Sequence, residues 1–531
     1  ADRRAAAIEL RDLVQRVPLA QFAVGAMGLP TLTTSLREER EDPELMHGVL
    51  EALTACIASG DVSAEKGSSN DLSNASTQQP DIGLSVAEAF AKTPHNCELI
   101  LSLLDDQDFY TRYHATQLLT ALASRVAHTL RGAVMASPTG VAKLMDMMLE
   151  REVIRNETLL LLVRLTSESE DLRKIVAFEG AFERCFNIIR EEGASDGGVI
   201  VRDCLELCSN LLRASISNQV FFRESSFLAR LPETIASKTP AVASWTQAPP
   251  LSAQKAANLL CALELVTLLV SDGDTREAAK IRNAAKSGVN ETVAAEIEAR
   301  DISAKKANRE MNQKELVKAG MLEALLQLCL GDKAVNNAPT RTFALRCLGD
   351  LVAESKENQD VLFAAEVKVT SAGDDNATQN PSTTEPALLA TLRVALRGED
   401  AAERVAAEQV FARCLSGNNE LQLVCVSTFA PVGEDEGDED VSLGALLARA
   451  LVGKSGKNKA APRYDGELDH MSKQSHGAPT FTPGLSDLEI SCHAAAVLRH
   501  VLDGNRAAQA RILSIPLELP RSNTSPLELL L

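Results

Sequence analysis

Two asparagines and one glycine-punctuated acidic loop are the residues in this chain best suited to binding chemistry. Asn156 and Asn210 fall inside helical apolar patterns, where asparagine has poor propensity. Such a side chain either bridges neighbouring backbones within the fold or turns its amide outward to clamp the backbone of a bound peptide. Asn210, on the last helix of its repeat, suits the second role better. The loop Glu191-Glu192-Gly193-Ala194-Ser195-Asp196-Gly197-Gly198 reads first as a turn between helices, because glycine permits positive φ. A turn needs only one or two glycines, however, and this loop also sets three carboxylates beside exposed backbone. Glu191, Glu192, Ser195, Asp196, Gly197 and Gly198 are therefore expected, with Asn156 and Asn210, to contact a protein partner.

Other chemistry finds little support. Val452-Gly453-Lys454-Ser455 ends like a phosphate-binding loop, but position 448 is alanine where the pattern needs glycine, and the segment follows a helix instead of a strand. His470, His476, Cys492 and His493 lie in one stretch at spacings that match no familiar metal site. Eleven cysteines include no Cys-x-x-Cys pair, and Cys204 and Cys208 fall one turn apart in an apolar run, which predicts buried reduced thiols and a reducing compartment. Neither a Gly-x-Ser-x-Gly elbow nor a His-Glu-x-x-His helix occurs. The expectation is no enzyme, no cofactor and no metal.

The elements that must hold the candidate residues announce themselves by recurrence. A leucine-rich run, a short polar break with Asn or Asn-Gln and a further apolar run appear at Ser217-Asn218-Gln219-Val220-Phe221-Phe222 and at Lys356-Glu357-Asn358-Gln359-Asp360-Val361-Leu362-Phe363. Looser copies start at Asn418-Asn419 and Gly504-Asn505. A period of roughly 40 to 45 residues is the mark of an armadillo or HEAT-like stack. Apolar residues at i, i+3, i+4 and i+7 trace about nine helical repeats through the chain. The fold is thus expected to be all-α, a right-handed armadillo/HEAT-like α-solenoid forming one domain over 1–531. Polar insertions at 60–81, 271–313, 371–385 and 433–487 are expected to be flexible loops at its edges. The stretch 271–313 has few large apolar residues and so little to bury.

Composition agrees. The 531 residues exceed the roughly 250 to 300 at which one compact core stops growing. Aromatic residues are 3% of the chain, and leucine and alanine suit close helix packing better than rings. With 54 Lys plus Arg against 73 Asp plus Glu the formal charge is -19, which argues against nucleic acid as partner. No charge-free apolar stretch of about 18 residues occurs, so any membrane role is expected to be peripheral. The first residue is alanine and 1–13 already reads as helix, which points to a fragment.

Several phrases are more specific than repeat shape. Arg151-Glu152-Val153-Ile154-Arg155-Asn156, Lys174-Ile175-Val176-Ala177-Phe178-Glu179, Ala181-Phe182-Glu183-Arg184, the 191–198 loop and Asp203-Cys204-Leu205 closely resemble the armadillo-like head of the general vesicular transport factor family. Met135-Ala136-Ser137-Pro138-Thr139-Gly140-Val141, Leu144-Met145-Asp146, Ser217 to Phe222 and Ser252-Ala253-Gln254-Lys255 continue the resemblance, densest from about residue 101 to 270. It implies a non-enzymatic, cytosolic tether, peripheral on Golgi, ER–Golgi intermediate and vesicle membranes, that docks vesicles before fusion. It also implies a homodimer working with a Rab-family GTPase, golgins, SNAREs and other tethering components. The family's coiled-coil tail has no counterpart here, since sustained heptads are missing. The alternative is an armadillo peptide receptor of the nuclear-transport type. That reading needs repeated Trp-x-x-x-Asn pairs, and Trp245 stands alone.

Overall fold

The computed structural model describes residues 2–58, 81–236, 250–271, 291–331, 334–370, 382–429, 442–452 and 486–515. Two compact units make up the chain, one built on Ala1–Phe227 and the other beginning at Leu228. Both are stacks of helices, and the fold is an all-α solenoid.

The first unit runs α1 (Asp2–Arg16), α2 (Pro18–Ala23), a π-helical turn (Val24–Gly28), α3 (Leu29–Glu38), α4 (Pro43–Ala58), α5 (Ile82–Ala91) and α6 (Pro94–Ser102). It continues with α7 (Phe109–Ala136), α8 (Gly140–Met147), α9 (Glu152–Thr166), α10 (Glu170–Phe178), α11 (Ala181–Glu191), α12 (Val199–Leu212) and α13 (Ile216–Glu224). One long helix per repeat packs on its counterpart in the next, giving a ladder α1, α4, α7, α9, α12. The ladder forms because its members bury apolar stripes, Ala7 and Val14 on α1 and leucines on the others, such as Leu159, Leu161, Leu162 and Leu165 on α9. Burying each such side chain contributes about 1.5 to 3 kcal/mol. Helix α7 bends where Val126 leaves helical geometry (φ −129°, ψ 44°), so its first part serves the ladder and its second opens the next repeat.

The second unit holds α14 (Leu231–Ile235), α15 (Ala253–Val270), α16 (Glu291–Lys318), α17 (Met321–Cys329), α18 (Ala338–Val352), α19 (Lys356–Ala364), a hairpin of β1 (Glu366–Thr370) and β2 (Ser382–Pro386), then α20 (Ala387–Arg397). After these come α21 (Ala401–Leu415), α22 (Asn419–Ser427), α23 (Leu443–Val452), α24 (Asp487–Leu502) and α25 (Arg506–Leu513). Its ladder is α15, α18, α21, α24. Helix α15 is long and apolar enough to cross a membrane by composition, but it is a core helix here, with Leu259, Leu263 and Val266 fully buried.

The recurring Asn-Gln phrase has a structural cause. A helix leaves its last carbonyls without intrahelical donors, and these side chains supply them. Asn218 Nδ2 donates to Leu211 O at 2.8 Å and Asn358 Nδ2 to Leu351 O at 3.0 Å, each closing the end of its own repeat's ladder helix. The following glutamine reaches a ladder helix too. Gln359 Nε2 donates to Arg413 O (3.0 Å) and Ser416 O (3.2 Å) at the end of α21, one repeat onward. Gln313 does the same to Asp350 O and Ala353 O of α18, and Gln422 to His500 O and Asp503 O of α24. The same short helices start on a serine or asparagine cap: Ser169, Ser215, Ser355, Asn418 and Asn505 each accept from the backbone three residues on.

Three of the expected flexible insertions are corrected in part. Residues 291–313 lie in α16, which has few apolar residues to bury but packs through polar ones. Asn312 Nδ2 donates to Leu269 O at 3.0 Å, Arg309 Nη2 meets Glu354 Oε2 at 2.7 Å, and Gln313 caps α18. Residues 382–385 belong to β2, paired antiparallel with β1 from Thr370 opposite Ser382 to Glu366 opposite Pro386. Within 433–487, residues 443–452 form α23, whose Leu446 and Leu447 are buried. The parts of these insertions at 272–290, 371–381, 433–441 and 453–485, and 60–80 of the first, lie outside the described residues.

Candidate protein-interaction surface

The acidic loop joins α11 to α12 at the edge of the first unit. Gly193 takes the left-handed conformation (φ +95°) that ends α11, where a side chain is strained, and Ala194 follows at φ +59°. A single 3-10 turn spans Ala194–Asp196. Gly197 is buried, and a β-carbon there would stand 2.7 Å from Glu192 O and 2.6 Å from Val201 Cγ2, so only glycine fits. Around Gly198 the space is open. Ser195 is 2% exposed, whereas Glu191, Asp196 and Gly198 face solvent.

One guanidinium ties two of the candidates together. Arg155 on α9 donates from Nη2 to Glu192 Oε1 at 3.0 Å and from Nε to Asn156 Oδ1 at 3.1 Å. Glu192 and Asn156 thus hold the loop against the ladder, and the outward carboxylates are Glu191 and Asp196. Asn210 donates from Nδ2 to Val163 O at 3.1 Å, linking α12 to α9 across neighbouring repeats. The eight candidates therefore divide: Asn156, Glu192, Asn210, Ser195 and Gly197 shape the edge, while Glu191, Asp196 and Gly198 are presented by it. Sequence reasoning passed over Arg155. The signal for it was a basic residue next to Asn156 and one repeat length before an acidic one.

Beneath the loop, Cys185, Cys204 and Cys208 are buried together. A hydrogen bond from Cys185 and burial hold the Cys204 thiol well above its usual range, which keeps it protonated and unreactive. Asp203, beside this cluster, has its carboxyl raised by burial, partly offset by Arg202 at 3.3 Å. All eleven cysteines are free thiols, ten of them buried or half-buried, and Cys492 is exposed. Among the described residues no group of three or more His, Cys, Asp or Glu could hold a metal ion. His493 sits on α24, while His470, His476, Trp245 and Gly453-Lys454-Ser455 lie outside the described residues.

No protein-family model matches the chain. It is 35% identical to golgin candidate 6 of Arabidopsis thaliana over 527 residues, covering 98% of this chain and 48% of that protein. It is 38% identical to the general vesicular transport factor p115 of Bos taurus over 271 residues, 51% of this chain and 26% of that one. The chain is a homologue of the general vesicular transport factors. The intracellular protein transport protein USO1 of Saccharomyces cerevisiae is 28% identical over 293 residues, 52% of this chain and 16% of that protein. Among solved structures, the crystal structure of Uso1-2 superposes with a TM-score of 0.67 at 22% identity, over 85% of this chain and 64% of that chain, which carries the fold. The chain thus spans about half the length of golgin candidate 6 and about a quarter of the bovine transport factor.

Proposed function

We propose that this chain is the non-enzymatic docking head of a vesicle tether, acting in transport between endoplasmic reticulum and Golgi before membrane fusion. The observation that carries the reading is the 35% identity to golgin candidate 6 along 98% of the chain, joined to the homology with named transport factors. Partners are a Rab-family GTPase, golgins, SNAREs and other tethering components, and the site is cytoplasmic, peripheral on Golgi and vesicle membranes. In a homodimeric full-length protein, two such heads multiply weak contacts through effective concentration. Glu191, Asp196 and the open backbone at Gly198 form one docking edge, positioned by Arg155, Glu192 and Asn156.

A nuclear-transport-like peptide receptor is not favoured. Its ladder asparagines must be free to clamp a peptide, whereas the Asn210 amide already donates to Val163 O. Binding of the purified chain to a Rab-family GTPase loaded with a GTP or a GDP analogue tests the reading. GTP-selective binding, weakened at least about tenfold by Glu191→Lys with Asp196→Lys, is the expected result. A folded chain that binds no tethering partner in either nucleotide state would contradict it.

A further inference from the structure

We propose that the outer faces of α10 and α13 form a second docking surface, one that takes a cationic amphipathic helix of a partner protein. Asp171, Ile175 and Phe178 stand at i, i+4 and i+7 on α10 and so share one face. Phe178 is 81% exposed and Ile175 38%. Beside them on α13, Phe221 is 37% exposed, with its ring 6.4 Å from Phe182. The two helices are held in register by Asn218 Nδ2, which donates to Arg173 O at 3.3 Å. Phe221 lies three residues beyond Asn218 on α13 and Ile175 two beyond Arg173 on α10, so with Phe178 these exposed side chains supply the apolar ridge of two adjoining helices.

The rim decides the occupant. Asp171, Glu179 and Glu224 are exposed and enter no ion pair among the described residues, while the nearby Glu170 is neutralised by Lys174 at 2.7 Å. Apolar anchors edged by unpaired carboxylates complement a helix with leucine-type residues on one face and Lys or Arg on its flanks. A strand is excluded because both outer elements are helices with no free sheet edge. An anionic membrane surface is disfavoured because the carboxylates repel its headgroups.

This surface deepens the docking reading and rests on it for the need of a protein partner. Its probe is a labelled synthetic helical peptide of about 18 residues, leucine on one face and lysine on the flanks, titrated into the whole chain. A twin peptide with glutamate for lysine and vesicles of phosphatidylcholine with phosphatidylserine complete the set. The lysine peptide is expected to bind, with affinity reduced at least about tenfold by Phe178→Ser. Asp171→Lys with Glu179→Lys should shift preference to the glutamate peptide, and Glu191→Lys with Asp196→Lys should leave lysine-peptide binding unchanged. Both side chains of the α10 ridge are exposed, so a matched thermal unfolding curve separates lost binding from lost fold, and Ile175→Ser gives a second variant. Equal binding of the two peptides, indifference to both serine variants, or preference for vesicles would overturn the proposal. Loss of the peptide site beside intact GTPase binding would overturn this surface alone, and the converse would leave it standing while the GTPase reading falls.

Discussion

At the scale of single residues, buried polar pairs set the sharpest expectations. Arg341 and Glu403 are 4% and 5% exposed and meet through two bonds, Nε to Oε1 at 2.7 Å and Nη2 to Oε2 at 2.8 Å. The third guanidinium nitrogen donates to Val335 O at 2.9 Å. Removing one charge strands the other in the core, so Glu403→Gln should destabilise the second unit by about 3 to 5 kcal/mol. Replacing both by methionine and leucine should cost far less, and urea unfolding of the three proteins measures the difference. His114 gives a pH dependence of known sign. Burial depresses its folded pKa below the ordinary 6.5, against the opposing pull of its Gln117 hydrogen bond and of Glu51. The unfolded chain therefore binds the proton more readily, and stability falls as pH drops through 6.5 toward the folded value. His114→Gln should flatten that slope in thermal unfolding scans between neutral pH and pH 5, and an unchanged slope would assign it elsewhere. Residue roles were the least legible part of the sequence. Asn210 read better as a peptide clamp than as a backbone bridge, whereas its amide donates to Val163 O. Arg155 belongs to no familiar binding motif, and its partner Glu192 reaches it only once two repeats are stacked.

Among the elements, apolar period gave the ladder helices and left their breaks indistinct. Apolar residues keep a helical spacing from 174 to 190, yet the chain breaks at Gly180, whose φ of +87° no β-carbon tolerates well. The apolar patterns at 134–149 and 316–330 likewise divide, at Ser137 and at Gly320. A single glycine or serine inside an amphipathic pattern leaves the period intact, so period alone cannot show the stop. Helix α16 was missed for the opposite reason. Before Leu316 it buries Asn308, Arg309, Asn312 and Gln313, and a polar buried face has no hydrophobic period. The Asn-Gln phrase was legible as a repeat marker but not as a helix cap. Its energetic role is testable: Gln359→Ala leaves the Arg413 and Ser416 carbonyls without donors and should cost about 1 to 3 kcal/mol. Gln359→Glu should cost at least as much, since a carboxylate faces two carbonyls. A loss under a few tenths of a kcal/mol would mean that water replaces the cap.

For the molecule as a whole, charge and repetition decide the kind of work it does. A chain with a formal charge of -19 and ladders closed by side-chain amides offers extended helical surfaces. Two edges of the first unit fit that role, the Glu191 to Gly198 loop and the Phe178 ridge. They differ in chemistry, one presenting carboxylates and open backbone, the other apolar side chains within an acidic rim. Variants of the two should therefore combine additively in binding energy if they serve separate partners. The most direct test of the account is competition by this chain in a reconstituted assay of vesicle arrival at Golgi membranes. Added in excess, the chain should occupy partner sites and slow arrival in a saturable way. Glu191→Lys with Asp196→Lys, folded to the same stability, should relieve that inhibition at least about tenfold in concentration. A well-folded chain that leaves vesicle arrival unchanged at every concentration would contradict the claim that this head docks tethering partners.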